Sequence, residues 1–468
     1  MIHLLALASL APLQGVRTSA VPARDAPRDS TPYARTLEES GRDNARAAAL
    51  ESAGLSQRSV GGPGIASLGS TTGTVDPLPV LYEVTIPVSG GNEAFLFQET
   101  SAVGPRPLLV VFHKFGVGHY DALAHTSFFQ EARRRGWYCL APFGGGQRHF
   151  SNLKSQAHTE AALAWARASF SIDATRVYAV GFSMGGGAAM NYAARHLDPT
   201  GTMLAAVFNE SGILSHEDTY PQLDPSIVPF YDAHFGGGGP AQPFPMQQAS
   251  VFSFDPVTQI VDLDTDLGRN LLHLGTYSTR TTLDVPYLAT QSDLFHTHLL
   301  SRGADPLRHR WSVINYPGHS WDAVTERSVC DWLRTFRLAI PTSGSTLADR
   351  DARYFHFDVE QDAPGAFTPF AWSVDEATNA VAVSATSNLA AIAVHSADAG
   401  LSPASALTIA LDTADGLPDE FRVLDWPALP ANVLRDGVAT ASWTYDALAA
   451  RVTLLEFDGG AHVWTVVP

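Results

Sequence analysis

The sequence predicts an α/β architecture, a mostly parallel sheet with helices on both faces, followed by a small all-β, sandwich-like domain. From residue 79 to residue 338, strand-like apolar runs alternate with helical patterns, which indicates a parallel sheet. Several of these strands are almost wholly apolar, as is typical of central strands buried on both faces. Beyond residue 350 only short alternating strands follow, and these predict the sandwich.

Composition shifts divide the chain into predicted segments. In chain order these are a signal peptide at 1–23, a pro-segment or linker at 24–75, an α/β domain at 76–340 with an insertion at 211–285, a second linker at 341–350, and a β-sandwich-like accessory domain at 351–468. The insertion is predicted to form a cap or loop region over the functional edge of the sheet. The last domain is predicted to be either a substrate- or surface-binding module or a stabilising appendage, and both alternatives are open.

The composition excludes some classes of partner. Hydrophobic residues make up 45% of the 468 residues and charged residues 16%, as expected of a packed globular protein. The net charge is −17 and no long basic run occurs, so nucleic acid is not an expected partner. The short apolar run at the N-terminus predicts export to a secreted or periplasmic location, and no later run has membrane-spanning length. Cys139 and Cys330 lie in apolar segments and are predicted to be packed thiols, with a disulfide as the alternative.

The motif Gly181-Phe182-Ser183-Met184-Gly185 carries the clearest chemical signal. An apolar strand leads into it and an Ala/Gly-rich helix leaves it, the strand–turn–helix setting of a nucleophile elbow. Such a turn exposes the serine Oγ at the sheet edge. The alternative is an ordinary tight turn in which the serine hydroxyl has no catalytic role. We therefore predict that Ser183 is a nucleophile.

A serine hydroxyl needs a base, and His319 in YPGHSWD is the best candidate. It lies in a Gly/Pro loop between an apolar strand and the last helix, from which the imidazole can return to the serine. His296 and His298 fit this role less well, because they lie two positions apart on an apparent helix and so face different ways. His149, His158 and His196 lie in or beside helical stretches and are predicted to be surface or satisfied core residues.

The predicted third member of the triad is Asp293, which orients the imidazole. It follows the segment PYLATQS, interpreted as a strand, and it gives the chain order Ser, Asp, His. Asp284, before that segment, and Asp322, after the histidine, are the alternatives. The backbone N–H groups of Met184 and Phe115 are the predicted oxyanion-hole donors, with that of Lys114 as second choice to Phe115.

These motifs resemble the α/β-hydrolase superfamily, and most of all the secreted esterases grouped with polyhydroxybutyrate depolymerases and feruloyl or acetylxylan esterases. The resemblance covers residues 79–338 and rests on PLLVVFH, GWYCLAPFG, IDATRVYAVGFSMGG and PGHSWD. It implies the α/β-hydrolase fold, with Ser183 as nucleophile and His319 as base. The chain departs from the family where His113-Lys114 replaces a His-Gly pair, and where no His-Gly precedes the acid.

The sequence thus predicts an exported carboxylic ester hydrolase that works through an acyl-enzyme and needs no cofactor or metal. The substrate is predicted to be an ester, with polyester, acylated polysaccharide and small esters all open, as is the oligomeric state. A serine peptidase of related fold and a non-catalytic binding protein that retains the fold are the alternative functions.

Two acidic clusters raise the alternative of calcium binding. Asp262, Asp264 and Asp266 alternate as in a calcium loop, but His273 stands where a bidentate glutamate is needed. Residues 412–420 resemble a fragment of a calcium-binding repeat without its earlier ligands. Solvated acidic turns are the prediction at both places.

Overall fold

The computed structural model describes residues 56–59, 65–69, 80–237, 243–385, 387–413, 419–456 and 460–468. The predicted signal peptide at 1–23 and most of the segment 24–75 lie outside these described residues. Within the described residues, no helix combines the length and the apolar character that crossing a bilayer requires.

The N-terminal part of the chain forms a ten-stranded sheet and a small hairpin. The strands are β1 (Ser56–Ser59), β2 (Ile65–Gly69), β3 (Leu81–Val88), β4 (Gly91–Gln98), β5 (Arg106–Phe112), β6 (Tyr138–Pro142), β7 (Ile172–Phe182), β8 (Ala206–Glu210), β9 (Ser253–Phe254), β10 (Val261–Asp262), β11 (Gly275–Thr281) and β12 (His309–Ile314). The order across the large sheet is β1-β2-β3-β4-β6-β5-β7-β8-β11-β12, and β9 pairs with β10.

Helices connect the strands of this sheet. They are α1 (Tyr120–His125), α2 (Phe128–Arg135), α3 (Leu153–Ser169), α4 (Met184–Arg195), α5 (His216–Thr219), α6 (Val228–Phe235), α7 (Pro243–Ala249), α8 (Pro286–Ser301) and α9 (Glu326–Leu333). The six strands from β6 to β12 in the sheet order are mutually parallel, so the loops after their carboxyl ends share one edge.

The sheet is buried on both faces, as its apolar strands predict. Along β7, Val177 and Ala179 join one hydrophobic cluster, while Tyr178 and Val180 join the cluster on the opposite face. Helices α3 and α4 contribute to the first cluster, and helices α2 and α9 contribute to the second. The predicted α/β fold class is confirmed.

Two predicted boundaries differ from the structure. The segment 24–75 contains β1 and β2, which extend the sheet from β3 in antiparallel pairing. The predicted insertion 211–285 includes β11, a central strand whose sequence GTYSTRT is too polar to give the apolar signal of its neighbours. The inserted region proper runs from β8 to β11 and contains α5, α6 and α7.

The C-terminal part is a β-sandwich, as predicted. Its strands are β13 (Ser343–Ala348), β14 (Ala352–Tyr354), β15 (Phe357–Glu360), β16 (Thr368–Asp375), β17 (Ala380–Ala385), β18 (Ala391–His395), β19 (Leu407–Thr413), β20 (Asp419–Leu424), β21 (Asn432–Arg435), β22 (Val438–Ala439), β23 (Trp443–Asp446), β24 (Arg451–Glu456) and β25 (Ala461–Val467). They form sheets of order β13-β16-β17-β19-β25-β21-β22 and β14-β15-β18-β20-β24-β23 around one shared apolar core.

The predicted linker 341–350 is instead part of the interface between the two domains. Its strand β13 pairs with β16, while Leu347 is buried in the core of the α/β domain. In return, Leu197 and Met203 of the α/β domain are buried in the core of the sandwich. The linker prediction is therefore wrong: only the first part of the run is exposed, whereas residues 346–349 are all buried.

Candidate active site

Ser183 lies at a tight turn between β7 and α4. Its backbone has φ 56° and ψ −127°, a strained conformation for a residue with a side chain. A Cβ at Gly181 would lie 2.0 Å from the carbonyl oxygen of Gly185, and one at Gly185 would lie 2.4 Å from that of Phe112. Both glycines are therefore required by the close approach of the backbone, and the geometry is that of the predicted nucleophile elbow.

His319 lies beside this turn. Its ring packs against Phe182, the residue before Ser183, with 4.3 Å between ring centroids. The loop that carries it follows β12, and Gly318 in that loop has a φ of 89°, which a residue with a side chain rarely adopts. The structure therefore places the predicted base against the residue that precedes the predicted nucleophile.

Asp284, in the loop after β11, holds the His319 ring. Its Oδ1 lies 2.7 Å from the Nδ1 of His319, and its side chain is fully buried. Burial raises the pKa of Asp284, but hydrogen bonds from His319, Ser211 and the Thr281 backbone, together with the charge of His319, bring it below its ordinary value. An ionised carboxylate can only accept, so the His319 Nδ1 donates and its Nε2 keeps a free lone pair.

The prediction of Asp293 in this role is corrected. Asp293 lies within α8, where its two oxygens accept hydrogen bonds of 2.8 and 2.9 Å from Arg280. The segment PYLATQ, interpreted above as a strand, is the first part of that helix, and Pro286 occupies its first turn. The strand that leads to the acid is β11, so the acid that contacts His319 is the alternative, Asp284.

Asp322, the other alternative, lies in a short 3₁₀ turn after the histidine. Its backbone N–H and its carboxylate both hydrogen-bond with the Ser320 hydroxyl, at 3.2 and 3.0 Å. Ser211 was not predicted at all: its Oγ donates a hydrogen bond to Asp284 Oδ2, and its backbone has a φ of 49°. Its position directly after β8, on the edge that carries Ser183, is the only sequence signal that could have indicated it.

The predicted oxyanion donors lie in one apolar cluster. Met184 is the first residue of α4, where backbone N–H groups have no partner within the helix. Phe115 follows β5 and packs against the cluster that contains Met184. Lys114, which departs from the family pattern, turns its ammonium group toward the buried Asp121 at 3.6 Å. This ion pair directs the lysine side chain to α1, so the substitution is accommodated in the loop.

The inserted region adds an apolar wall beside Ser183. Its buried members, drawn from the elbow, the loop after β6 and the insertion with α8, are Phe150, Met184, Ile213, Tyr231, Phe235, Met246, Ala249 and Leu288. Partly buried apolar side chains, Phe115, Tyr220, Leu223, Ile227, Val285 and Tyr287, pack onto it. The predicted cap thus packs onto the elbow through this cluster, and its partly buried side chains are the ones that an apolar group of a substrate can reach.

The remaining candidate histidines have structural partners. His158 contacts Glu93 at 3.0 Å, His196 stacks on Tyr192, and His298 contacts Asp266 at 2.9 Å. His149 is buried against His113, and burial holds its pKa well below the ordinary value. His296 stacks on Trp311. These contacts agree with the predicted structural roles.

The acidic cluster at 262–266 binds the chain's own groups. Asp262 accepts a hydrogen bond of 3.0 Å from the Asp264 backbone N–H, while buried Asp266 faces His298 and Arg302. Within the described ranges, no group of three metal-ligating side chains is assembled. Most of the second cluster, residues 414–418, lies outside the described residues.

Cys139 and Cys330 are free, buried thiols in the same hydrophobic cluster. Burial raises the pKa of Cys330 to about 12 and that of Cys139 well above its ordinary value. Both are therefore packed as neutral thiols, as predicted.

Glu210 is a buried acid next to the site that the sequence did not indicate. Its carbonyl oxygen accepts the Ser183 backbone N–H at 2.9 Å, while neither of its carboxyl oxygens has a hydrogen-bond partner among the described residues. Burial, together with the charges of Asp284, Glu326 and Asp322, raises the pKa of Glu210 to about 9. The side chain is therefore protonated at neutral pH.

Glu210 should make stability depend on pH. Between the ordinary pKa of 4.5 and the raised value near 9, the unfolded chain releases this proton while the folded chain keeps it, so folding stability falls as pH rises. Glu210→Gln removes this cost, and we expect it to raise the free energy of unfolding by about 2–4 kcal/mol near pH 7.5, with little effect near pH 4. Urea unfolding at both pH values measures the difference.

Glu93→Gln is the matched control for Glu210→Gln. Glu93 is equally buried, but its oxygens accept N–H groups of residues 143–145 at 2.8, 2.9 and 2.9 Å. A glutamine at this position has an N–H₂ group that faces these N–H donors and cannot accept from them. The free energy of unfolding of this variant should therefore fall by about 2–4 kcal/mol at both pH values. Equal destabilisation by the two variants would contradict the unpartnered state of Glu210.

Comparisons with known proteins complete the description. No protein-family model matches the chain, and a search of curated proteins returns no match. Among solved structures, the chain is similar to FphF, a fluorophosphonate-binding serine hydrolase of Staphylococcus aureus, with 12% identity over 55% of this chain and 99% of the other, at a TM-score of 0.40.

Two further solved structures are similar. An S-formylglutathione hydrolase from Agrobacterium tumefaciens has 13% identity over 57% of this chain and 99% of its own, at a TM-score of 0.42. An acetyl xylan esterase from Paenibacillus sp. R4 has 14% identity over 63% of this chain and 92% of its own, at a TM-score of 0.40. The parallel strand order and the elbow between β7 and α4 are features of this chain itself. On these features, the chain has the α/β-hydrolase fold.

Proposed function

We propose that this protein is a serine hydrolase that cleaves carboxylic esters through Ser183, His319 and Asp284. The observation that carries the proposal is the 2.7 Å contact from Asp284 to His319 beside the strained turn that presents Ser183. A buried carboxylate, an imidazole and a serine in the chain order Ser, Asp, His are the elements of acyl transfer in this fold.

In the proposed mechanism, His319 Nε2 removes the proton of Ser183 Oγ as the oxygen attacks the ester carbonyl. The N–H groups of Met184 and Phe115 stabilise the oxyanion. His319 then donates the proton to the leaving alcohol, while Asp284 stabilises the imidazolium. Water attacks the acyl-enzyme by the same route and releases the acid, so the reaction needs no cofactor.

Export and an acylated polymer as substrate also belong to this proposal. The apolar run near the N-terminus supports export. The apolar wall beside Ser183 supports a substrate with an apolar acyl part, and the resemblance to polyester- and polysaccharide-directed esterases adds the polymer.

The proposal is tested with a matched ester and amide. We expect the purified protein to hydrolyse p-nitrophenyl butyrate and to leave butyryl p-nitroanilide intact, because an amide carbonyl is intrinsically less reactive toward a serine nucleophile than an ester carbonyl. Release of the coloured product is measured over time. Comparable rates on both compounds would indicate a peptidase, and folded protein inactive on the ester would contradict the hydrolase.

A further inference from the structure

Arg148 lies over two aromatic rings at the edge of the candidate site. Its Cζ is 5.5 Å from the ring centroid of Phe115 and 4.0 Å from that of Phe230. Within the described part of the chain, no carboxylate forms an ion pair with Arg148. A guanidinium stacked through its faces keeps its N–H edges available, and these edges match the two oxygens of a carboxylate.

The loop that carries Arg148 is held firmly beside the oxyanion loop. Gly116 donates its backbone N–H to the carbonyl oxygen of Gln147 at 2.9 Å. At the start of the same loop, buried Glu93 accepts the N–H groups of residues 143–145. The backbone that leads to Arg148 is therefore anchored at residues 143–145 and at Gln147, which lowers the entropic cost of binding a ligand.

A continuous series of contacts joins Arg148 to the elbow. The ring of Phe115 lies 5.5 Å from that of Phe150, whose backbone N–H points at the sulfur of Met184 at 3.4 Å. Met184 follows Ser183 in the chain. Arg148 thus lies at the outer end of the apolar wall, on the side where Met184 and Phe115 would hold the acyl oxygen.

Lys114, just after β5, and Arg280, near the end of β11, differ from Arg148 because each is neutralised within the chain. Lys114 pairs with Asp121 at 3.6 Å, and Arg280 pairs with Asp293 at 2.8 Å. The protein as a whole carries a net charge of −17, which repels anions. A partly exposed arginine without an acidic partner at this place favours an anionic group on the ligand.

We propose that Arg148 binds a carboxylate on the acyl part of the substrate, so that the site takes esters of dicarboxylic acids. This inference rests on the proposed function. In the reaction the scissile C–O bond breaks, water supplies OH to the acyl carbon and H to the alcohol, and the second carboxylate is unchanged. The apolar wall contacts the methylene groups between the two carboxyl ends.

The test compares two p-nitrophenyl esters of equal chain length, the glutaric acid monoester and the neutral valerate. We expect the wild-type protein to prefer the glutarate ester, and this preference to shrink at high salt. Arg148→Gln should lower kcat/KM for the glutarate ester about 10- to 100-fold, mainly through KM, and that for the valerate by less than about threefold.

Lys154→Gln is the control, because it removes a neighbouring positive charge from an exposed side chain and should change kcat/KM for neither ester by more than about twofold. Equal losses on both esters in Arg148→Gln would show that the arginine only joins the cap to the oxyanion loop, and would overturn the inference. So would a wild-type protein without preference for the anionic ester. Turnover of neither ester would instead overturn the proposed function, and the inference with it.

Discussion

Asp284→Asn is expected to lower kcat on a short-chain ester by about 10³- to 10⁴-fold, with little change in KM. The buried carboxylate accepts the Nδ1 proton of His319 at 2.7 Å and thereby leaves Nε2 as the base. An asparagine in its place can present its N–H₂ group to Nδ1, which favours the tautomer with the proton on Nε2. The ring is then unable to take the proton of Ser183, while the fold is retained.

Asp293→Asn is the control that shows whether Asp284 or Asp293 orients His319. Asp293 is 47% exposed and pairs with Arg280 on the surface, an interaction worth about 0–1 kcal/mol. We expect kcat within about twofold of wild type. Steady-state kinetics, with urea unfolding to show that both variants are folded, give the comparison. Loss of activity in the Asp293 variant with retention in the Asp284 variant would reverse the assignment.

Removing the C-terminal sandwich is expected to unfold the hydrolase domain as well. Truncation after residue 340 takes away Leu347, which lies in the core of the α/β domain, and exposes Leu197 and Met203. It also strips Asn270 of its bonds to the Leu347 backbone, at 2.8 and 3.0 Å. We expect insoluble protein, or protein without a cooperative unfolding transition, and loss of activity on soluble and insoluble esters alike.

A point substitution tests the same interface in the full-length chain. Arg195 and Asp349 form an ion pair with no solvent exposure of either side chain, with Nε 2.9 Å from Oδ2. Asp349→Asn leaves the buried guanidinium without its counter-charge and should cost about 3–5 kcal/mol of unfolding free energy. The Asp349 pKa supports this: burial raises it, but the charges of Arg195 and Arg350, with the hydrogen bonds from Arg195 and Tyr354, together bring it below its ordinary value.

Asp398→Asn is the control for the buried pair. Asp398 pairs with Arg353 at 2.5 Å, but 53% of its side chain is exposed, so the variant should cost less than about 1 kcal/mol. Equal costs for the two variants, or a truncated chain that folds and retains wild-type activity, would show that the sandwich is a separable module. Of the two roles left open by the sequence, the buried interface favours stabilisation.

The sequence signals that predict roles for Ser183 and His319 are local. An apolar strand, a pair of glycines and an Ala/Gly-rich helix specify the turn at Ser183, and a short loop before the last helix carries His319. The prediction that Asp293 contacts His319 was wrong, and the error has a physical reason. Strand β11 has the sequence GTYSTRT and is buried although it is polar, so it gives no apolar signal. The apolar start of α8 resembled a strand instead. Pro286 was the signal for a helix start.

Contacts between distant segments had no signal in the sequence. Arg195 and Asp349 are 154 positions apart, and Arg148 meets Phe230 only because the insertion folds back over the loop after β6. In the sequence, Glu210 is an ordinary residue at the end of a strand. Its carboxyl group has no hydrogen-bond partner among the described residues because of the side chains that fold around it, and the sequence does not indicate which these are. The alternation of apolar and polar residues along the chain predicts the fold class. It does not predict which side chains from distant segments contact each other, because that depends on how the elements pack.

Covalent labelling of Ser183 tests the central claim most directly. A fluorophosphonate probe reacts with a serine whose hydroxyl is activated by a neighbouring base. We expect one adduct per folded chain, located by mass spectrometry in the tryptic peptide 177–195, and no adduct in a folded Ser183→Ala variant. Folded wild-type protein that stays unlabelled, or an adduct that persists in Ser183→Ala, would contradict the assignment of Ser183 as the nucleophile.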